Sequence, residues 1–218
     1  MRKVRQAGWP AAGSSATANA TLTASPSPTA KVISASQAKA LVDAAMLAPN
    51  GLALIGGPNK AEETKPTVEQ PHHVCTWRRL PRRVLAGHNT KWLVDATVVH
   101  QIAVAYESAE AADVVVETRN ALGTCKTYDN GTYVVTEVGA VKVPTYPGAH
   151  EVLGYCQKIT FHKDKRVLVN CEALLTHKGG YLISAVTVYA DTRKEAEQQL
   201  TFVGAVAAEK LAKLPSSP

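Results

Sequence analysis

The chain has 218 residues, of which 45% are hydrophobic and 19% are charged, and its formal net charge is +6. This length predicts one domain with a sizeable core, and the composition excludes a wholly disordered protein. No stretch approaches ~20 consecutive apolar residues, so we expect no membrane-spanning segment. Arg2, Lys3 and Arg5 carry half of the net charge. The rest of the chain is therefore too weakly basic to favour nucleic acid as a partner.

Residues 1–31 are predicted to be a disordered linker or tail, because Ala, Ser, Thr, Gly and Pro dominate this segment. Such a composition buries too little apolar surface to offset the entropy cost of ordering the chain. The start resembles the charged region of a signal peptide, but no apolar run of about 7–15 residues follows it. We expect either a cytosolic protein with a disordered tail or an anchored protein whose leader lies upstream.

A single domain is predicted over residues 32–214, which leaves residues 215–218 as a disordered C-terminus. The domain begins with a helix, since Ser34 and Gln37 match a capping box and apolar residues follow at helical spacing. Pro49, with the asparagine and glycine after it, ends that helix.

The middle of the chain is predicted to contain a loop, a strand and a second helix. Residues 56–74 are polar and proline-rich, which predicts a surface loop. Residues 96–106 have the apolar pattern of a strand. Ser108 is expected to cap the second helix, and Gly123 is expected to end it.

The C-terminal half is predicted to be a series of antiparallel strands closed by a long helix. After the turn signal Asp129-Asn130-Gly131, strands are expected at residues 132–138, 152–161, 166–175 and 181–189. Asp191 is expected to cap a helix that runs to about Lys213 with one apolar stripe. Because the stripe needs a partner, we predict an α+β fold, an antiparallel sheet packed on one face by helices.

The chain has four cysteines, Cys75, Cys125, Cys156 and Cys171. None of them forms a C-x-x-C pair, and this spacing disfavours a zinc site. Four cysteines allow three pairings. Cys156 and Cys171 are equally distant from the centre of the hairpin loop His162–Lys165, so they face each other within disulfide reach. This pairing leaves Cys75 with Cys125. Two disulfides persist only in an oxidising compartment, which favours an extracytoplasmic protein.

Several short segments follow one another in a recognisable order over roughly residues 32–214: Val32–Leu47, Cys75-Thr-Trp, Val99–Val104 with the helix after it, Cys125, Tyr155-Cys-Gln-Lys, Val167–Cys171 and the closing helix. This order resembles the PknH-like extracellular domain family of actinobacteria, which comprises sensor domains of receptor Ser/Thr kinases and related lipoproteins. The resemblance implies the same two disulfides, a sheet-and-helix fold with a cleft, and a role in sensing or ligand binding outside the membrane. It also implies a free-standing or lipid-anchored relative, since no kinase catalytic elements are present, with an anchor that this sequence does not show.

The densest charged segment combines arginines and tryptophans without an acidic residue. Arginine suits phosphate and carboxylate, and tryptophan suits sugar faces, so this segment is a candidate site for an envelope polyanion or glycolipid. The candidate ligand-binding residues are Trp77, Arg78, Arg79, Arg82, Arg83 and Trp92. The alternative is a solvated loop whose arginines pair with Glu107, Glu110, Asp113 or Glu117.

No catalytic, metal or cofactor motif stands out, because the histidines are scattered and no G-x-S-x-G elbow is present. The favoured function is a non-catalytic, extracytoplasmic ligand-binding or sensor-type domain of the cell envelope, tethered through its N-terminal linker. Its partner would be an extracellular small molecule, a glycolipid or an envelope polyanion. One alternative is an envelope interaction module that binds a polyanion through Arg78–Arg83. A small secreted hydrolase is the third hypothesis.

Overall fold

The computed structural model describes residues 31–57, 60–61, 65–69, 71, 74–75, 82–94 and 97–216. Its α-helices are α1 (Ala35–Ala45), α2 (Ala111–Thr124) and α3 (Arg193–Ala212), and a 3₁₀ helix spans Pro49–Ile55. The strands are β1 (Lys60–Ala61), β2 (Lys65–Pro66), β3 (Val84–Val94), β4 (Thr97–Tyr106), β5 (Tyr128–Asp129), β6 (Tyr133–Val141), β7 (Val152–Phe161), β8 (Val167–Thr176) and β9 (Leu182–Ala190).

The strands in the described residues form one antiparallel sheet. Their order is β1-β3-β4-β9-β8-β7-β6-β5, and β2 also pairs with β3. The long strands make up the body of the sheet, whereas the two-residue strands lie at its two edges. The α+β class and the antiparallel sheet expected from the sequence are confirmed.

Both faces of this sheet are covered, because successive residues of a strand point to opposite sides. On β4, Val99 and Ala103 belong to one apolar core with α1 and α3, whereas Ile102 and Val104 belong to a second core with α2. We call these two sides the α1–α3 face and the α2 face. The expectation that the helices pack on one face therefore needs correction for α2. Strands that are buried on both sides carry apolar residues at successive positions, so the sequence does not show which side a helix covers.

The N-terminal ends of α1 and α3 agree with the sequence signals to within one residue. The Ser34 hydroxyl accepts a hydrogen bond from the Gln37 backbone N–H at 3.3 Å, and the Gln37 side chain accepts one from the Ser34 N–H at 2.8 Å. This is the expected capping box. Helix α3 starts one residue later than predicted, because its cap is Thr192, whose hydroxyl accepts from the Glu195 N–H at 3.3 Å.

Helix α2 begins without the predicted side-chain cap. Its N-cap is Glu110, which makes no side-chain capping bond, so the prediction of Ser108 was wrong. The Ala111 N–H instead donates to the Gly180 carbonyl at 2.9 Å, so a turn far away in sequence satisfies it. At the other end the helix includes Gly123 and stops at Thr124.

Strand β3 was missed by the sequence analysis, which predicted no element for residues 84–94 and offered a solvated loop as one alternative for the arginine-rich segment. Its residues pair along the whole length of β4. Polar side chains such as His88, Asn89 and Lys91 interrupt the apolar alternation that identifies a half-buried strand. They are tolerated because β3 lies near one edge of the sheet, where only the short β1 and β2 flank it. Those two strands fall within the predicted loop 56–74.

One segment is apolar enough to count as a candidate membrane span by length and composition, contrary to the expectation from the sequence. It covers Ala35–Ile55, with a mean hydropathy of 1.3. In the structure this segment forms α1 and the 3₁₀ helix, and Leu41, Val42 and Leu52 lie in the core of the α1–α3 face. These buried residues therefore help to cover the sheet.

Candidate functional site

Both disulfides have the pairing expected from the sequence. Cys156 and Cys171 are directly opposed on β7 and β8, with their Cα atoms 4.0 Å apart, and we call this bond the inner disulfide. Cys75 is bonded to Cys125 just after α2, with Cα atoms 6.0 Å apart, and we call this bond the outer disulfide. The hairpin register therefore identified the inner disulfide, and elimination identified the outer one.

Arg82 and Arg83 have very different environments although they are adjacent in sequence. The Arg82 side chain is 5% exposed and makes a two-pronged ion pair with Glu117 of α2, with N–O distances of 3.0 and 2.5 Å. The hydrogen bond to Glu117 raises the pKa of the Arg82 guanidinium. Arg83 pairs with Glu107 at 2.8 Å, and its side chain is 72% exposed. Both pairs match the alternative in which acidic neighbours neutralise the arginines.

Trp92 does not belong to a ligand-binding surface. It is 2% exposed and lies in the core of the α1–α3 face. An indole in this position cannot stack on an external ligand, so its assignment as a ligand-binding residue is corrected. The other candidates, Trp77, Arg78 and Arg79, lie outside the described residues.

The α2 face carries two rows of polar side chains that the sequence analysis did not identify. Strand pairing aligns four residues in one row across β7, β8, β9 and β4, and three in the next row across β7, β8 and β9. We call these seven residues the polar rows: Tyr155, Glu172, Thr187 and His100, then Gln157, Asn170 and Tyr189. All of them are buried except Tyr189, which is half-buried.

Glu172 is the centre of the first row and is only 2% exposed. The Thr187 hydroxyl donates to its carboxylate at 3.0 Å, and the Tyr155 phenol is hydrogen-bonded to the same carboxylate. Burial raises the pKa of Tyr155 well above its ordinary value, and the charge on Glu172 raises it further. The phenol therefore remains a proton donor to the carboxylate at physiological pH.

The charge of Glu172 also affects three further tyrosines, each of which is half-buried. Burial raises the pKa of Tyr128, Tyr133 and Tyr189, and the Glu172 charge contributes to the increase in all three. The Tyr128 phenol donates to the side-chain carbonyl of Gln157 at 3.2 Å. This part of the α2 face therefore combines one buried carboxylate with several neutral phenols, which are hydrogen-bond donors as well as acceptors.

Asn170, in the second row, has an unused acceptor. It is 5% exposed, and its side-chain carbonyl oxygen has no hydrogen-bond partner among the described residues. A buried acceptor without a partner costs free energy that a donor on a ligand would recover. The sequence held a signal for both rows, since Asn170 and Glu172 are polar residues two positions apart on one side of an otherwise apolar strand.

Other surface features lie away from the polar rows. An open groove of about 550 Å³ runs between α1, β2 and β3, and Val68 and Leu85 are among its lining residues. In the described part of the chain, no three His, Cys, Asp or Glu side chains come together in a group able to hold a metal ion.

No protein-family model and no curated protein matches the sequence. Among solved structures, the extracellular domain of PknH from Mycobacterium tuberculosis is similar, with a TM-score of 0.56 and 12% identity over 84% of this chain and 99% of that chain. This chain has the fold of the PknH extracellular domain. The resemblance expected from the sequence is confirmed at the level of the fold.

A second solved structure, a putative uncharacterised protein from Mycobacterium smegmatis (Rv0999 ortholog), is 14% identical over 80% of this chain and 100% of that chain. Its TM-score is 0.41, too low to add to the fold assignment. At 12% identity, the likeness to PknH extends to the arrangement of helices and sheet.

Proposed function

We propose that this chain is an extracytoplasmic, non-catalytic sensor-type domain of the cell envelope that binds a small polar ligand at the polar rows. The observation that carries the proposal is the burial of Glu172. A carboxylate removed from water costs several kcal/mol unless its neighbours compensate, and an apolar residue would stabilise the same sheet position at no such cost. Buried ionisable groups with specific partners are common in binding sites, which favours recognition as the role of Glu172.

The proposed location outside the cytoplasm rests on the two disulfides. Bonds of this kind persist in oxidising compartments and are rare in the cytosol. The fold supports the same location, since the similar PknH structure is that of an extracellular domain. We further propose that residues 1–31 are the linker through which the domain is tethered to the membrane, with residues 32–214 as the single folded domain.

The alternative function, in which Arg78–Arg83 binds an envelope polyanion or glycolipid, has less support. It requires free guanidinium groups, but both terminal guanidinium nitrogens of Arg82 donate to the Glu117 carboxylate. Arg83 also has an acidic partner, Glu107. These contacts leave Arg78 and Arg79 as the arginines on which that alternative depends.

The proposed binding function is tested by thermal denaturation with four probes of different chemistry: N-acetylglucosamine, glycerol 3-phosphate, spermidine and succinate. A ligand present at 100 times its Kd stabilises a protein by about 2.7 kcal/mol, which corresponds to a Tm increase of roughly 5–10 °C at this size. We expect one class of probe to give such an increase in the wild-type protein.

Glu172→Gln is the decisive variant, because it keeps the shape of the side chain and an acceptor for Thr187 but removes the charge. We expect it to remain folded and to lose the ligand-dependent increase in Tm. Glu209→Gln is the matched control, since Glu209 is exposed on α3. An equal increase in all three proteins, or none with any probe, would contradict binding at the polar rows.

A further inference from the structure

The two disulfides differ in their access to solvent. The inner disulfide is buried in the core of the α1–α3 face, where Cys156 is 3% exposed and Cys171 is fully buried. Both cysteines of the outer disulfide are half-buried, and the residues flanking Cys125 on either side are exposed. Thiol–disulfide exchange requires a thiolate to reach a sulfur atom, so solvent access decides which bond reacts first.

The outer disulfide also lies in a surface recess that a small thiol can enter. This recess has a volume of about 520 Å³, and both of its cysteines, Thr124 and Lys126 are among the lining residues. The Lys126 side chain is exposed and donates from Nζ to the Leu122 carbonyl at 2.7 Å, which holds its positive charge beside Cys125. A positive charge at this point attracts an incoming thiolate.

We propose that the outer disulfide is a site of reversible thiol–disulfide exchange, opened by a dithiol while the inner disulfide stays closed. One thiolate of the dithiol attacks a sulfur of the Cys75–Cys125 bond and forms a mixed disulfide, releasing the other cysteine as a thiolate that takes up a proton. The second thiol of the dithiol then displaces the first cysteine. The products are two cysteine thiols and one oxidised dithiol, so electrons and protons balance.

The fold provides contacts that keep this region in place when the outer disulfide opens. Val74 is fully buried in the core of the α2 face, directly beside Cys75. On the other side, the Arg82–Glu117 ion pair joins the chain just before β3 to α2 without help from the disulfide. Opening the bond therefore releases Cys75 from the end of α2 but leaves the sheet and its helices packed.

Opening the outer disulfide affects the part of the chain that lies next to the polar rows. Tyr128, whose phenol bonds to Gln157, follows Cys125 by three residues and belongs to the same apolar cluster as both outer cysteines. A change in the tether at Cys125 is thus transmitted to the tyrosine that donates to Gln157 of the polar rows. The exchange site is independent of the proposed function, because it depends only on the accessibility of the two bonds.

The experiment exposes the native wild-type protein to increasing dithiothreitol at pH 8 without denaturant, traps free thiols with iodoacetamide, and maps them by peptide mass spectrometry. We expect Cys75 and Cys125 to be alkylated at concentrations that leave Cys156 and Cys171 unlabelled. Far-UV circular dichroism should remain unchanged over the same range. Simultaneous labelling of all four cysteines, or no labelling before the dichroism signal is lost, would overturn the proposal.

A variant separates local opening from unfolding. Cys75→Ser/Cys125→Ser mimics the opened state, and we expect it to retain the wild-type dichroism spectrum and the inner disulfide. Lys126→Gln tests the contribution of the positive charge in the recess. We expect it to slow the opening of the outer disulfide by the dithiothreitol thiolate and to leave the free energy of unfolding unchanged. A double-serine variant that is unfolded, or an unchanged opening rate in Lys126→Gln, would contradict the argument.

Discussion

The two faces of the sheet show how one set of strands serves two purposes. The α1–α3 face is covered by an apolar core that includes the inner disulfide and Trp92. The α2 face combines an apolar core around α2 with the polar rows, and its disulfide is accessible. The difference indicates that the α1–α3 face contributes most to stability, whereas the buried polar side chains of the α2 face contribute less than apolar residues would at the same positions.

The largest expected effect tests the contribution of the α1–α3 face. Trp92→Ala removes a buried indole and leaves a cavity, so we expect a loss of about 3–5 kcal/mol in the free energy of unfolding, measured by urea denaturation. On the α2 face, Tyr155→Phe removes one hydroxyl that donates to a buried carboxylate and should cost about 1.5–3 kcal/mol. A larger loss for Tyr155→Phe than for Trp92→Ala would reverse the proposed division between the faces.

An intermediate effect is expected where the chain before β3 is attached to α2. Arg82→Ala leaves Glu117 without its two-pronged partner, and we expect a loss of about 2 kcal/mol in unfolding free energy. The neighbouring Arg83→Ala is the matched control, and because that side chain is largely exposed we expect less than about 0.5 kcal/mol. Equal losses for the two arginines would show that the Glu117 pair is not the stabilising contact.

The smallest effect concerns pH and the end of α3. His177 is buried, its Nδ1 accepts from the Gly179 N–H at 3.2 Å, and it is hydrogen-bonded to the Leu214 backbone. Burial lowers the pKa of this ring, so the folded protein favours the neutral form. As the pH falls below about 6.5, the unfolded chain binds the proton more readily, and stability decreases until the folded pKa is passed.

Urea denaturation at pH 7.5 and pH 5.0 checks this expectation. The midpoint concentration of the wild-type protein should be lower at pH 5.0, and the difference between the two pH values should be smaller in His177→Gln. An identical pH difference in the wild type and the variant would assign the pH dependence to other residues.

Local sequence signals were sufficient wherever the structure depends on neighbouring residues. The capping box at Ser34 requires only contacts three residues apart. The inner disulfide required only the centre of a short hairpin loop, because opposed positions in such a hairpin are set by that loop. Both predictions are confirmed by the structure.

Other features required partners that are distant in sequence. Helix α2 starts where the Gly180 carbonyl can accept a hydrogen bond, so Ser108 gave a misleading signal. Strand β3 is stabilised by pairing with β4 despite its polar residues. Trp92 was expected at a ligand-binding surface because the neighbouring arginines suggested an exposed loop, but its position on β3 places it in the core.

By itself, the sequence determined the α+β class, the inner disulfide and the main helices, because these depend on short-range periodicity, capping and hairpin register, and the outer disulfide followed by elimination. Only the tertiary structure placed α2 on the second face, paired Arg82 with Glu117 and aligned four strands so that their polar side chains form rows. The physical reason is that the sequence of one strand shows which residues lie on the same side of the sheet. The residues beside them on adjacent strands depend on the order of the strands, which the tertiary structure decides.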